Sequence, residues 1–395
     1  MASIRGGSTV IIELEDVYQY LAGCRAQASV QARAATPEAG LPAGFDVFGY
    51  EECARVLREP RTFSSSQAYA DNATRVFGRT IIGMDDPEHK RHRDLVADIF
   101  QQRALAPFVD EVVTPACHEL IDRVAPSGRA DLVADLSLPL PILVTARILG
   151  LPADDEGRFH RWSLDLLEMS DDFQRGLDAS AELREYFAGV VADRRRQPRE
   201  DIISRLLSAE VDGIRLEDEA IYSFLRLLLP AGVETTARSI VSLVRRLLAH
   251  PDQLADLIRD RSLMPQAIEE GLRCDAPALM IMRVATRDTE LGGMAVPAGS
   301  ALVINLGSAN RDERRWPDAD RFDIHRDAQQ HLAFAAGPHM CLGLHLARLE
   351  TAATVNAVLD RMPGLRLDDG QPAPRVTVGT NGMSVLDSLP VLFDV

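Results

Sequence analysis

The chain has 395 residues, 46% of them hydrophobic and 26% charged, and shows no repeat or low-complexity tract, so it can bury a core large enough to enclose a cofactor. Its formal charge of −16 disfavours nucleic acid and anionic membrane as partners, because phosphate binding needs a basic surface. Five scattered cysteines without a CxxC fit neither a disulfide framework nor a zinc ribbon, and they suit a reducing, cytoplasmic setting.

The opening MASIRGGSTV lacks the basic-then-apolar pattern of a secretion signal. The apolar stretch 138–151 is too short for a membrane span and is broken by Pro139, Pro141 and Arg147. In chain order, 44–49 (GFDVFG) reads as a short strand and 50–58 as a helix, followed by a loop over 63–66. From Pro87 onward helical periodicity dominates, with Asp86 placed to cap a helix and Pro87 at its first position, where a missing N–H costs nothing. Further helices are predicted over 108–124, 138–149, 155–169, 174–195 and 202–209.

The clearest element runs from 217 to 250. There Tyr222, Leu225, Leu229, Gly232, Thr236, Ile240, Leu243 and Leu247 recur at spacings of three and four, one face of a helix that Pro251 ends. At 1.5 Å per residue it is ~50 Å long. Strands return over 283–289 and 301–306, with Gly292-Gly293 and Pro297-Ala298-Gly299 as turns. A helix over 344–361 and a strand-and-turn tail close the chain. No linker is visible, and the expectation is one mostly α domain with a small β portion over 1–395.

The stretch 334–348, FAAGPHMCLGLHLAR, sets Cys341 in a loop between Gly337 and Gly343, ahead of a helix with Leu342, Leu346, Leu349, Ala353 and Ala357 on one face. Flanking glycines let backbone pass close to a flat object and leave N–H groups free to point at the sulfur, while a helix N-terminus stabilises a thiolate. These are requirements of a metal-binding thiolate, although most single cysteines are buried and inert. A zinc centre with His339 and His345 lacks a fourth ligand in reach.

Midway along the long helix stands AGVETT, 231–236. Glycine and paired threonines are poor helix-interior residues, and Pro230 removes an intrahelical hydrogen bond at roughly 3 kcal/mol. A kink or groove is expected there. Strain beside an acid and a hydroxyl suits a small polar ligand and a proton path; a packing defect with a capping-type threonine is the plainer alternative. Glu270 and Arg273 (i,i+3) and His89 and Arg93 (i,i+4) each share a helix face, which taken alone describes a solvated surface.

Taken together and in this order, the segments resemble the cytochrome P-450 family. Phe334, Gly337, His339, Cys341, Gly343, Leu346, Ala347 and Arg348 match its haem-ligand signature, Ala231-Gly232 with Glu234-Thr235 its distal-helix motif, and Glu270 with Arg273 its E-x-x-R. Ala335 departs from the usual glycine, and a tighter loop is expected. The resemblance implies a b-type haem (iron protoporphyrin IX) with Cys341 as iron ligand and Phe334 and Gly343 framing the loop. His89, Arg93, Arg283 and His339 would bond the two propionates, cationic forks suiting carboxylates.

By the same resemblance Glu234 and Thr235 would manage protons for oxygen, and Glu270, Arg273 and Arg326 would form a buried brace. The substrate pocket would be walled by the loop 67–79, Val233, the segment 278–282 with Met280, Ile281 and Met282, and the turn 381–384 with Met383. The implied activity is monooxygenation of a mainly apolar, uncharged small molecule by O2. No Gly-rich nucleotide loop or second cysteine cluster is present, so electrons are expected from a ferredoxin-type donor with its reductase. Arg91, Arg103 and, last, Arg348 are its candidate docking residues. A peroxide-driven enzyme and a non-catalytic haem sensor or carrier are the alternatives; neither has a use for the acid–alcohol pair.

Overall fold

The computed structural model describes residues 12–36, 41–70, 72–167, 172–378 and 382–395. Helix accounts for 57% of it and the sheets are short, a mostly α protein with a small β portion. The chain packs as two compact units. The first comprises Met1–Ser64, Val241–Met340 and Leu367–Pro390; the second comprises Ser65–Ile240, Cys341–Arg366 and Val391–Val395.

In the first unit a five-stranded sheet runs in the order Val30–Arg33, Gly44–Val47, Ala301–Ile304, Ile281–Ala285, Phe63–Ser64. Only the Gly44–Val47 and Ala301–Ile304 pair is parallel. Gly44 is required by this register, since a Cβ there would strike the Ala301 carbonyl. The helix Tyr50–Arg58 packs Cys53, Ala54, Val56 and Leu57 into the same core as Val47, Phe63, Leu302, Ile304 and Trp316. Its first turn holds Glu51 and Glu52 and its last turn Arg55 and Arg58, each sign at the favourable end of the helix dipole.

Three expectations change here. The serine-containing 63–66 is a loop only in part: Phe63–Ser64 is an edge strand on Ile281–Ala285, and both residues are fully buried. The predicted strand 283–289 is two strands, Ile281–Ala285 and Thr289–Leu291, the second pairing with Met294–Val296. Between them Thr286 donates to Thr62 and Asp288 accepts from Ala298, so polar groups leave the ladder and satisfy neighbouring loops instead. The early region also contains a helix, Leu14–Gln27, and a strand, Val30–Arg33, that periodicity did not reveal.

The second unit is helical. Glu88–Ala97 is the helix expected from Pro87, and Pro139–Ile148, Phe173–Arg196 and Ile202–Ser208 lie close to their predicted spans. Glu156–Leu167 does too, though the predicted end at Met169 lies outside the described residues. Pro87 flanks its helix rather than opening it, and the Asp86 carboxylate accepts from the Lys90 N–H (3.1 Å), capping the first turn as expected. The helix predicted from 108 begins earlier, as Gln102–Phe108, and continues through a wide π turn, Val109–Val113. Pro107 and Pro115 interrupt this stretch, and lost N–H donors favour such an irregular turn.

The long helix spans Asp218–Ala249 without a break, Pro230 included, and Pro251 opens the next helix, Pro251–Arg259. By length and composition it could cross a membrane, but most of its apolar window is buried in protein.

Candidate active site

Cys341 immediately precedes the helix Leu344–Arg361, with Gly343 at the helix cap. It is the one exposed cysteine; Cys24, Cys53, Cys117 and Cys274 are buried, and all five are free thiols. Protein nonetheless crowds the sulfur enough for desolvation to push the thiol pKa up. Three features pull it back down: a hydrogen bond from the Gly343 backbone and the charges of Arg93 and Arg348. Each favours the anion, the form that ligates metal. Arg93 is itself lowered by burial and raised by Cys341 and Asp94.

His89 and Arg93 sit on Glu88–Ala97 in the same unit. His89 is almost wholly buried, its Nδ1 lies 3.4 Å from Asp86 Oδ1, and burial lowers its pKa despite that carboxylate. Among the described residues no group of three or more His, Cys, Asp or Glu could hold a metal ion. Cys341 would be the protein ligand of a haem iron, and Arg93 and His89 suit the carboxylates of a porphyrin. The residues fit a haem.

On the long helix, Val233 is buried and Glu234 forms an ion pair with Arg238, one turn on. The Thr235 hydroxyl donates to the Ala231 carbonyl (2.7 Å), and Ser239 repeats the pattern on Thr235 (2.8 Å). Such back-bonding bends helices. Gly232 is close to Thr145, whose Oγ1 would lie 3.6 Å from an added Cβ.

The first unit holds the other singled-out residues. Glu270 and Arg273 are fully buried and joined twice, at 2.7 and 2.8 Å, and Arg326 Nε reaches Glu270 at 3.3 Å. Arg273 also donates to the carbonyls of Asn310 and Ala319. Arg283 is buried on Ile281–Ala285, and His339 ends the turn Gly337–His339. Ala335 adopts φ +57° and Gly337 φ +71°, and a Cβ at Gly337 would strike the Leu57 carbonyl.

Two residues missed by sequence reasoning, Glu269 and His331, are buried with His331 Nε2 3.3 Å from the Glu269 carboxylate. Nδ1 of His331 accepts from Ala333, and its ring lies 5.8 Å from that of Phe334. No local pattern pairs residues so far apart. By contrast, the i,i+4 spacing of Glu234 and Arg238 is visible in the sequence.

The segment 278–282 and the tail turn are joined in this unit. Ala278 bridges to Met383, Leu279 donates to Gly382 and Ser384 donates to Pro277. Met280 Cγ lies 2.5 Å from where a Gly382 Cβ would stand. Met280, Ile281, Met282 and Met383 therefore fall on neighbouring backbone; Asn381, the first residue of the predicted turn 381–384, lies outside the described residues.

The family model described as Cytochrome P450 matches residues 163–362. Steroid C26-monooxygenase of Mycobacterium tuberculosis (strain CDC 1551 / Oshkosh) is 37% identical over 352 residues, 87% of this chain and 93% of that protein. Cytochrome P450 monooxygenase PikC of Streptomyces venezuelae is 37% identical over 333 residues, 82% and 79% of the two chains. Among solved structures, P450BioI in complex with hexadec-9Z-enoic acid ligated acyl carrier protein superposes with a TM-score of 0.88 at 30% identity, covering 96% of this chain and 98% of that one. A shared fold extends over nearly the whole length, with a free thiol at the start of the helix that follows its glycine loop, and on these grounds the chain belongs to the cytochrome P450 family and is a haem-thiolate monooxygenase.

Proposed function

We propose that this monooxygenase acts in the cytoplasm, as a single domain over 1–395, on a mainly apolar, uncharged small molecule, with electrons from a ferredoxin-type protein and its reductase. The carrying observation is Cys341, placed at a helix start where Gly343, Arg93 and Arg348 all favour its anion. When bound, haem supplies oxygen activation, and a thiolate ligand pushes electron density toward O–O cleavage. The chain does the rest. His89 and Arg93 serve as propionate partners, Arg283 and His339 have the same role by resemblance, and Phe334 and Gly343 shape the ligand loop. Glu270, Arg273 and Arg326 brace it, and Glu234 and Thr235 hand protons inward.

Met280, Ile281, Met282 and Met383 supply an adaptable apolar wall, and Val233 is a pocket residue on the long helix. Arg75, the cation best placed to select an acid instead, is stacked over the Phe173 ring at 4.7 Å, which supports a neutral substrate. Donor docking is assigned to exposed Arg91 and Arg103; the latter lines a shallow surface groove with Gln101, Gln102, Ala106 and His345. Arg348 acts on Cys341 and is only half exposed, so it stands last for docking.

The test is Cys341→His. The parent should give the red-shifted carbon monoxide band of thiolate ligation after reduction, and the variant should not. A surviving band refutes the ligand. Titration of the ferric parent with matched neutral compounds and carboxylates then tests the substrate class, and tighter carboxylate binding abolished by Arg75→Ala refutes it.

A further inference from the structure

The acid of the distal motif is not alone on its helix. Glu234 and Arg238 lie one turn apart, with 13% and 11% of their side chains exposed, and Arg238 Nη2 pairs with Glu234 Oε1. The other carboxylate oxygen, Oε2, is buried without a hydrogen-bond partner. A glutamate N-terminal to its cation at this spacing is the favourable orientation, and low solvent access strengthens the pair. The neighbouring Thr235 hydroxyl points back to Ala231. One oxygen of the acid is therefore held along the helix, while the other is left bare.

We propose that Arg238 is a positioning residue for proton delivery: it keeps Glu234 ionised and turned along the helix, with Oε2 left as the oxygen that takes up and passes on a proton. This rests on the reading of Glu234 and Thr235 as the proton relay. A guanidinium beside a half-desolvated carboxylate favours the charged form, and removing that charge leaves burial to favour the neutral acid. The cation thereby opposes resting protonation, so that Glu234 accepts a proton only when one is drawn inward.

The experiment compares ferric holoenzymes of the parent, Arg238→Gln, Arg238→Lys and Glu234→Gln, together with the Arg238→Gln/Glu234→Gln double variant. At neutral pH the infrared difference between Arg238→Gln and the double variant should contain the carbonyl stretch of a protonated carboxylic acid. Subtracting Glu234→Gln from the parent should show no such band. Arg238→Gln should also lose severalfold in product formed per reducing equivalent, and Arg238→Lys should restore most of it.

Haem content and the carbon monoxide band report whether each variant is folded. Should Arg238→Gln fail there, Arg238→Lys still decides, because a charge-keeping variant must show parental coupling and no carboxyl band. Absence of the band in a folded Arg238→Gln protein overturns the proposal, as does failure of lysine to rescue. If Glu234→Gln couples as well as the parent, the relay reading falls instead, while the infrared band still reports whether Arg238 holds the acid ionised.

Discussion

Glu350 lies on Leu344–Arg361, two turns beyond the cysteine loop, and its side chain is buried with no hydrogen-bond partner for Oε2. Its backbone carbonyl accepts from Thr354 (2.7 Å), the Thr354 hydroxyl meets Cys117 at 3.5 Å, and no charge among the described residues offsets the burial of the carboxyl. Burial alone raises its pKa from 4.5 to about 8. The native state therefore binds a proton that the unfolded chain has released, and stability falls as pH rises across that window. At 1.36 kcal/mol per pH unit the full loss is at most roughly 4 to 5 kcal/mol above about pH 8.

Glu350→Gln removes the titration. Its denaturation midpoint should lie near that of the parent around pH 5 and exceed it increasingly toward about pH 8.5, where the gap flattens. Denaturant titrations followed by circular dichroism at a series of pH values read this directly, and the slope of the difference matters rather than its offset. A difference that does not change with pH, or that grows toward acid, would refute the reasoning.

Ala335→Gly should raise the denaturation midpoint, because a left-handed φ costs a non-glycine residue about 1–2 kcal/mol and added chain entropy returns only part, leaving up to about 1 kcal/mol; a lower midpoint would contradict this. Glu270→Gln leaves the Arg273 charge buried and should cost about 3–5 kcal/mol, read as a large fall in Tm and in haem retention. Parental Tm would show that the brace is dispensable. Arg91→Glu should slow reduction of the ferric protein by an acidic ferredoxin at low salt and weaken the salt dependence of that rate. Stopped-flow rates indifferent to both charge and salt would remove this docking face.

What could be read from the chain alone was what local chemistry decides. Tyr50–Arg58, Asp218–Ala249 and Leu344–Arg361 were legible to within a residue or two because apolar spacing and the glycine or proline at their ends act within a few residues. The Cys341 loop was legible because its glycines and helix start are contiguous. Other features belonged to tertiary structure.

Phe63–Ser64 becomes a strand only because Ile281–Ala285 offers an edge more than 200 residues away. Met383 meets Ala278 only through a bridge between the tail and the chain ahead of that strand. Glu350 becomes a carboxyl with a pKa near 8 only because the surrounding helices exclude water without supplying a cation. Ala335 reads as an ordinary residue until the loop holds its backbone left-handed. Period and propensity are properties of neighbours in sequence, whereas burial, register and the partner of a buried charge are set by neighbours in space.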